Sequence, residues 1–344
     1  MIKDNYFSIK FVREDSSKEN DKLVYLDQTK LPLEENYIET ESYERVAVAI
    51  ERLEMRGAPL IGIAAAYAIA LSIKNANENI IEQFYTAHKR LIETRPTAVN
   101  LFYTLNIMKD IFEENKDSAN PYEILLAKAK SIHKEDEEFC SKMGKNGLAI
   151  FKTKATVLTH CNTGKLATGG DGTAFSVIKT AFENDLVKFV YADETRPLLQ
   201  GSRLTAFELD KCGIPFALQT DSSAAFLMKQ KKVDLVITGA DRIALNGDSA
   251  NKIGTYNLAL LSYHHNIPFY IAAPSTTIDK TIASGNEINI EYRDKHELLT
   301  INENEFTSPS YDAFTPAFDV TPSHLITGII TEEGVFNFPY NFTR

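Results

Sequence analysis

Cys161 and Asp241 are the residues whose types and settings best suit chemistry. Each stands just past a short apolar, β-branched run. Ala155–Thr159 leads into His160-Cys161-Asn162-Thr163-Gly164, and Leu235–Thr238 leads into Gly239-Ala240-Asp241. An isolated cysteine is most often an apolar filler. Cys161, however, precedes a loop that enters a helix at Thr173, and a helix N-terminus supplies N–H groups and positive potential that can lower a thiol pKa. His160 is its neighbour, but adjacent strand residues point to opposite faces, so a structural role is expected for the histidine. Asp241 follows an apolar strand with Gly239 and Ala240 keeping the approach narrow. A carboxyl in such a place tends toward a raised pKa and can hold or pass a proton near neutrality. The competing reading, a cap for the turn that follows, can be met instead by Asn246-Gly247-Asp248.

A second group of residues suits an anion. Arg56-Gly57-Ala58-Pro59 precedes the apolar stretch Leu60–Lys74, and an arginine beside a tight turn at a helix start can grip an oxyanion through two hydrogen bonds. Arg95-Pro96-Thr97 stands in the same relation to the helix around Leu101. One such arginine is usually a surface charge. Two at helix starts point to anion contacts offered to a cleft between domains. Asn251-Lys252, read at the start of a helix running to Asn266, adds charge and helix N–H groups. Gly169-Gly170-Asp171-Gly172 is not a dinucleotide fingerprint, since Phe175 stands three places after Gly172, and no P-loop occurs either. These glycines before a helix suit phosphate cradling or tight strand–helix packing, and a nicotinamide cofactor is not expected.

Positioning these residues requires two kinds of architecture. Up to about residue 150 the chain reads as mostly helical after a strand region around Phe7 to Leu33. Helices are expected over Tyr43–Met55, Leu60–Lys74, Ile80–Glu93, Leu101–Glu114 and Pro121–Met143, with Leu60–Lys74 apolar nearly all round and therefore buried. From Ala155 apolar runs alternate with helical segments. Strands are expected at Ala155–Thr159, Val187–Ala192, Phe216–Thr220, Leu235–Thr238 and Phe269–Ala273. Helices are expected near Thr173–Asn184, Gly201–Lys211, Ser222–Lys231 and Asn251–Asn266. That alternation implies a Rossmann-like, doubly wound α/β domain with a parallel sheet. The expected organisation is a helical N-terminal domain over 1–150 and a catalytic α/β domain over 151–344. In an open parallel sheet ligands bind outside the carboxyl ends of the strands. All five strand ends carry polar residues, among them Asp193-Glu194-Thr195-Arg196, Gln219-Thr220-Asp221 and Ala273-Pro274-Ser275.

Composition narrows the function classes. The chain has 344 residues, 44% hydrophobic and 24% charged, with a formal net charge of −10. This acidic balance argues against nucleic acid as a partner. The longest apolar stretch is too short to span a bilayer, and MIKDNYFSIKF has no long apolar run, so a secretory signal is not expected. Three cysteines without CxxC spacing argue against a disulfide framework and against a zinc site. A cytoplasmic protein that binds a small anion is expected.

Several long segments resemble the methylthioribose 1-phosphate isomerase family, part of a wider group that includes ribose 1,5-bisphosphate isomerases and regulatory subunits of the guanine-exchange factor for eukaryotic translation initiation. The segments are RGAPLIGIAAAYAIAL, RPTAVNL, THCNTGKLAT, DETRPLLQGSRLTAFEL, TGADRIALNGDSANKIGTYNLA and FDVTPSHLIT. The resemblance implies an isomerase that turns an aldose 1-phosphate into its 2-ketose in methionine salvage, working as a homodimer without metal or nicotinamide. By the same resemblance Cys161 and Asp241 are the catalytic pair, Asp241 being the proton donor. Arg56, Gly57, Ala58, Arg95, Gln200, Asn251 and Lys252 are substrate contacts. The glycine loop departs from the methylthioribose pattern at Lys165, where a small residue is expected, and at Asp171, where an aromatic is common. An isomerase of 5-deoxyribose 1-phosphate or of another aldose 1-phosphate is therefore an alternative. A non-catalytic regulatory subunit is a further one, which retention of both Cys161 and Asp241 disfavours.

Overall fold

A computed structural model describes residues 6–13, 18–76, 79–95, 99–301 and 304–342. Pro96 and Thr97 of the second arginine turn lie outside them, as do residues 1–5. The chain divides into two compact units, Asn5–Phe139 with Lys165–Gly172, and Cys140–Gly164 with Thr173–Arg344.

The first unit opens with strands β1 (Ile9–Val12), β2 (Lys22–Leu26) and β3 (Tyr37–Thr40), paired antiparallel in that order. Helices α1 (Tyr43–Glu51), α2 (Ala58–Ser72), α3 (Ile80–Ile92) and α4 (Val99–Asn115) follow, then the long α5 (Pro121–Gly147), which continues into the second unit. Every residue of α2 from Leu60 to Leu71 is buried. Its apolar residues run right round the helix, so it has no polar face to turn to water and becomes the axis of the core. Small residues let neighbours approach it. A Cβ on Gly62 would stand 2.8 Å from Thr104 Oγ1 and 3.2 Å from the carbonyl of Asn100, both on α4. The core is completed by the rings of Phe84 and Phe112, stacked at 3.8 Å.

The second unit carries, in chain order, β4 (Ala155–Thr159), α6 (Ala174–Glu183), β5 (Val187–Asp193), α7 (Ala206–Lys211), β6 (Phe216–Gln219), α8 (Ala224–Lys229), β7 (Leu235–Thr238), β8 (Arg242–Ala244), β9 (Ser249–Lys252), α9 (Thr255–His265), β10 (Phe269–Ala272), β11 (Ile278–Asp279), the short pair β12 (Thr300–Ile301) and β13 (Asn304–Glu305), β14 (Phe318–Thr321), β15 (Gly328–Thr331) and β16 (Gly334–Asn337). The main sheet has the order β6-β5-β4-β7-β10-β15-β16 and is parallel apart from β16. β4, β7 and β15 are buried along their whole length, as parallel strands covered on both faces must be. Alternate residues feed two cores. Val157, Ile237 and Ile330 pack with α6 and α7, while Leu158, Val236 and Ile329 pack with α8 and α9. The sheet is therefore doubly wound. From β4 the chain adds β5 and β6 on one side, then crosses back to add β7 and β10 on the other, so the order reverses between β4 and β7.

One expectation is overturned. Asn251 and Lys252 do not begin a helix; they end strand β9, and α9 starts at Thr255 after Gly254, whose φ is +103°. The reason is a partner distant in sequence. β9 pairs antiparallel with β14, Asn251 facing Asp319 and Lys252 facing Phe318, within a second sheet β11-β8-β9-β14. Nothing local to residues 249–252 announces that pairing.

Candidate functional site

At the carboxyl end of β4 the backbone turns abruptly. Cys161 has φ +61°, the left-handed region that a residue with a Cβ enters only at a cost of about 1–3 kcal/mol. Two hydroxyls hold it there. Its N–H donates to Thr195 Oγ1 at 2.9 Å, and its carbonyl accepts from Thr205 Oγ1 at 2.6 Å. Thr195, at φ +64°, stands just past β5, and its own N–H donates to Asp221 just past β6. Asp221 also accepts from the N–H of Arg196. The ends of β4, β5 and β6 are thus one hydrogen-bonded frame around a buried thiol. The fifth strand end is engaged elsewhere, for Ser275 bonds to Glu332 beyond β15.

His160 lies fully inside this frame. Its Nδ1 meets Asp193 Oδ2 at 2.8 Å and its Nε2 meets the carbonyl of Ile253 at 2.9 Å. Burial works against the imidazolium, but the hydrogen bond and charge of Asp193 outweigh it and hold the histidine above its ordinary pKa. Burial raises the Asp193 carboxyl, against the opposing pull of His160 and of Gln219 Nε2 at 2.6 Å. His160, Asp193 and Asp221 come close enough together to suggest a cation site. Every ring nitrogen and carboxylate oxygen of the three is nevertheless committed to a hydrogen bond within the frame. That donor set suits a structural network better than a metal.

Asp241 stands past β7, across the reversal of strand order from Cys161, and is half-buried. Its N–H donates to the carbonyl of Ala250 at 2.9 Å. The capping alternative fails, because the chain enters strand β8 after Asp241 and no helix begins there. Gly239 keeps the strand end narrow: a Cβ there would stand 2.8 Å from the Thr163 methyl. Thr238 Oγ1 and Gln200 Oε1 are buried without a hydrogen-bond partner among the described residues. Gln200 stands at the head of a π-helical turn, Gly201–Thr205, a local geometry frequent at functional sites. Asn251, nearly buried, donates to Thr255 Oγ1, and the Lys252 ammonium lies 4.5 Å from the Phe318 ring and 3.1 Å from the carbonyl of Ala317. Asp319 accepts the N–H groups of Gly254 and Tyr256, so the start of α9 offers an anion fewer donors than expected. Burial keeps that carboxyl above its ordinary pKa despite those bonds.

Arg56, Gly57, Ala58 and Arg95 belong to the helical unit. Gly62 near the start of α2 packs on Asn100 and Thr104 near the start of α4, so the two helix starts lie side by side, each with an arginine before it. Gly57, at φ +98°, leaves no room for a Cβ against the backbone of Ala167. Ala167 belongs to the glycine-rich loop, which the helical unit fastens at several points. Ser8 Oγ donates to the carbonyl of Thr168, Gln28 Nε2 to that of Leu166, and the N–H of Gly169 to Asp136. The two unexpected residues answer each other: Lys165 Nζ stands 3.4 Å from Asp171 Oδ1 and 5.0 Å from the Tyr6 ring.

Sequence reading singled out Cys161, Asp241 and the polar strand ends. It missed Thr205 and Glu208. Glu208 is fully buried and accepts from Asn162 Nδ2 at 2.6 Å. A carboxylate at a helical position gives no sign of burial until the element against it is known.

A thiol and a carboxylate on either side of a topological switch point make this an α/β protein built to handle a small molecule. Residues 54–338 match the Initiation factor 2 subunit family, and the chain belongs to that family. It is 51% identical over 326 residues to a methylthioribose-1-phosphate isomerase of Caldicellulosiruptor saccharolyticus, covering 94% of this chain and 95% of the relative. Its fold matches a crystal structure of 5-methylthioribose 1-phosphate isomerase from Pyrococcus horikoshii OT3 with a TM-score of 0.90 at 39% identity, over 98% of this chain and 94% of that one. It also matches a structure described as translation initiation factor eIF-2B, subunit delta, from A. fulgidus, with a TM-score of 0.86 at 39% identity over 98% and 97% of the two chains. Among the described residues no helix is long and apolar enough to cross a membrane.

Proposed function

We propose that this chain is an aldose–ketose isomerase that converts 5-methylthioribose 1-phosphate into 5-methylthioribulose 1-phosphate in methionine salvage. The observation that carries the roles is the placement of Cys161 and Asp241 at the ends of the adjacent parallel strands β4 and β7, on the two sides of the reversal in strand order. The phosphate on carbon 1 leaves the sugar without a free aldehyde, so the ring must open first. Asp241 donates the proton that the departing ring oxygen takes up. Hydrogen then moves from carbon 2 to carbon 1 while the carbon 2 hydroxyl becomes a carbonyl and loses its proton. In a proton route Cys161 removes the carbon 2 proton and an enol phosphate is reprotonated at carbon 1. In a hydride route the hydrogen crosses with its electron pair and the pair of residues manages only the hydroxyl protons. Arg56, Arg95 and Lys252 offset the phosphate charge, with Gly57 and Ala58 shaping the loop beside Arg56. Asn251 and Gln200 orient the sugar, Gln200 through a buried oxygen that no group among the described residues satisfies.

The test is an NMR assay of the purified protein with 5-methylthioribose 1-phosphate and 5-deoxyribose 1-phosphate side by side. Turnover of the methylthio sugar is expected, falling by about 100-fold or more in Cys161→Ser and in Asp241→Asn. Preference for the deoxy sugar would move the protein to a different substrate with the same chemistry, and the Lys165–Asp171 pair is the feature that favours this second reading. Folded protein that turns over neither sugar would overturn the enzyme. Deuterium from solvent at carbon 1 of the product identifies the proton route; its absence favours the hydride.

We also infer a cytoplasmic homodimer. Cys140, Cys161 and Cys212 are all buried and none is in a disulfide, which suits a reducing compartment. Tyr256, Leu260 and Tyr263 expose one side of α9, and Phe226 is exposed on α8, which packs against α9. Exposed apolar side chains on two helices that pack together suit a second copy of the chain.

A further inference from the structure

His160 has no place in the chemistry above, yet it is a fully buried titratable side chain next to the thiol. Its ring joins three segments. Through its own backbone it belongs to the end of β4. Through Nδ1 it is tied to Asp193, the last residue of β5, and through Nε2 to the carbonyl of Ile253. Ile253 follows Asn251 and Lys252 directly in the turn between β9 and α9. The Ile253 carbonyl can only accept, so Nε2 carries a hydrogen. Gly254 closes over the ring so tightly that a Cβ would stand 3.0 Å from Cε1. The ring also has a fixed counterpart, since Gln219 holds the other oxygen of Asp193 at 2.6 Å.

We propose that His160 is a positioning residue for the isomerisation. Through Asp193, whose carbonyl accepts from Thr195 Oγ1 at 3.1 Å, it supports the hydroxyl that holds the left-handed backbone of Cys161, and through Ile253 it sets the position of Asn251 and Lys252. Two tethers on one rigid ring keep the thiol and the phosphate-side strand in register, although they lie about ninety residues apart in sequence. The inference rests on the isomerase reading, in which Cys161 acts on the sugar and Asn251 and Lys252 bind it.

The two tethers separate experimentally. In His160→Asn the side-chain amide reaches where Nδ1 was, keeping the bond to Asp193 and losing that to Ile253. In His160→Gln the amide reaches where Nε2 was, keeping Ile253 and losing Asp193. Steady-state kinetics with 5-methylthioribose 1-phosphate should then split. His160→Asn raises KM by about 10-fold or more with the smaller loss in kcat, and His160→Gln lowers kcat by about 10- to 100-fold with KM little changed. Thermal melts and active-site counting correct for unfolded protein. Wild-type kinetics in both variants would overturn the proposal. So would equal losses of kcat with unchanged KM, the mark of a histidine that merely helps the unit fold. Wild type and Cys161→Ser run alongside. No turnover by folded wild type would instead strike the isomerase reading itself, and full turnover by Cys161→Ser would strike the role given to the thiol.

Discussion

Individual residues here are placed by what surrounds them closely. Gly201 is the clearest case: a Cβ would stand 1.6 Å from the carbonyl oxygen of Asp193, so the turn after Gln200 can pass the end of β5 only as glycine. Gly201→Ala should cost more than about 3 kcal/mol and displace Asp193 from His160, which urea denaturation and the isomerase assay would show together. Asp248 makes a different prediction. Burial tends to raise its carboxyl, but the Asn246 amide and the N–H groups of Ser323 and Gly285 outweigh that and hold it below its ordinary value near 3.8. The folded state thus favours the ionised form. That stabilisation is complete above about pH 4 and is lost as pH falls through the depressed folded-state value. Asp248→Ala should remove it, costing about 1–3 kcal/mol at neutral pH. The difference in stability between variant and wild type should shrink on acidification, and a constant difference down to the acid transition would refute the assignment.

Elements follow the same logic over longer distances. α2 could be read as buried from its composition, because a helix without a polar face has nowhere else to go. Its partners could not, since the close approach to α4 depends on Gly62 meeting Asn100 and Thr104. The stack of Phe84 on Phe112 joins α3 to α4 with both rings fully buried. Phe84→Ala leaves a cavity the rigid helices cannot close, and a loss of about 3–5 kcal/mol in chemical denaturation is expected. A cost below about 1 kcal/mol would mean that the helices collapse onto the gap. β9 shows the limit of local reading. Asn251-Lys252 looks like the start of a helix until β14 supplies a strand beside it. The same pairing brings Asp319 to the first turn of α9, where it takes the N–H groups of Gly254 and Tyr256.

For the molecule as a whole, the proposed homodimer carries the prediction. Leu260→Glu and Tyr263→Glu put charges on the exposed side of α9 and should shift the protein to a monomer in analytical ultracentrifugation, with little change in monomer fold. A wild type that sediments as a monomer would remove that reading. Much of this is legible before any fold is known. The runs Ala155–Thr159 and Leu235–Thr238 are strands β4 and β7 to the residue, and Cys161 and Asp241 stand where those strands end. Apolar periodicity is a local property, set by which side chains must leave water, so it survives without coordinates. Tertiary structure alone decided the strand order that sets Cys161 and Asp241 across a switch point. It also decided the left-handed turn of Cys161 and the tethers from His160 to Asp193 and Ile253. Those depend on hydrogen bonds and backbone contacts between segments dozens of residues apart, and no residue carries in its own type the identity of a partner that only folding brings to it.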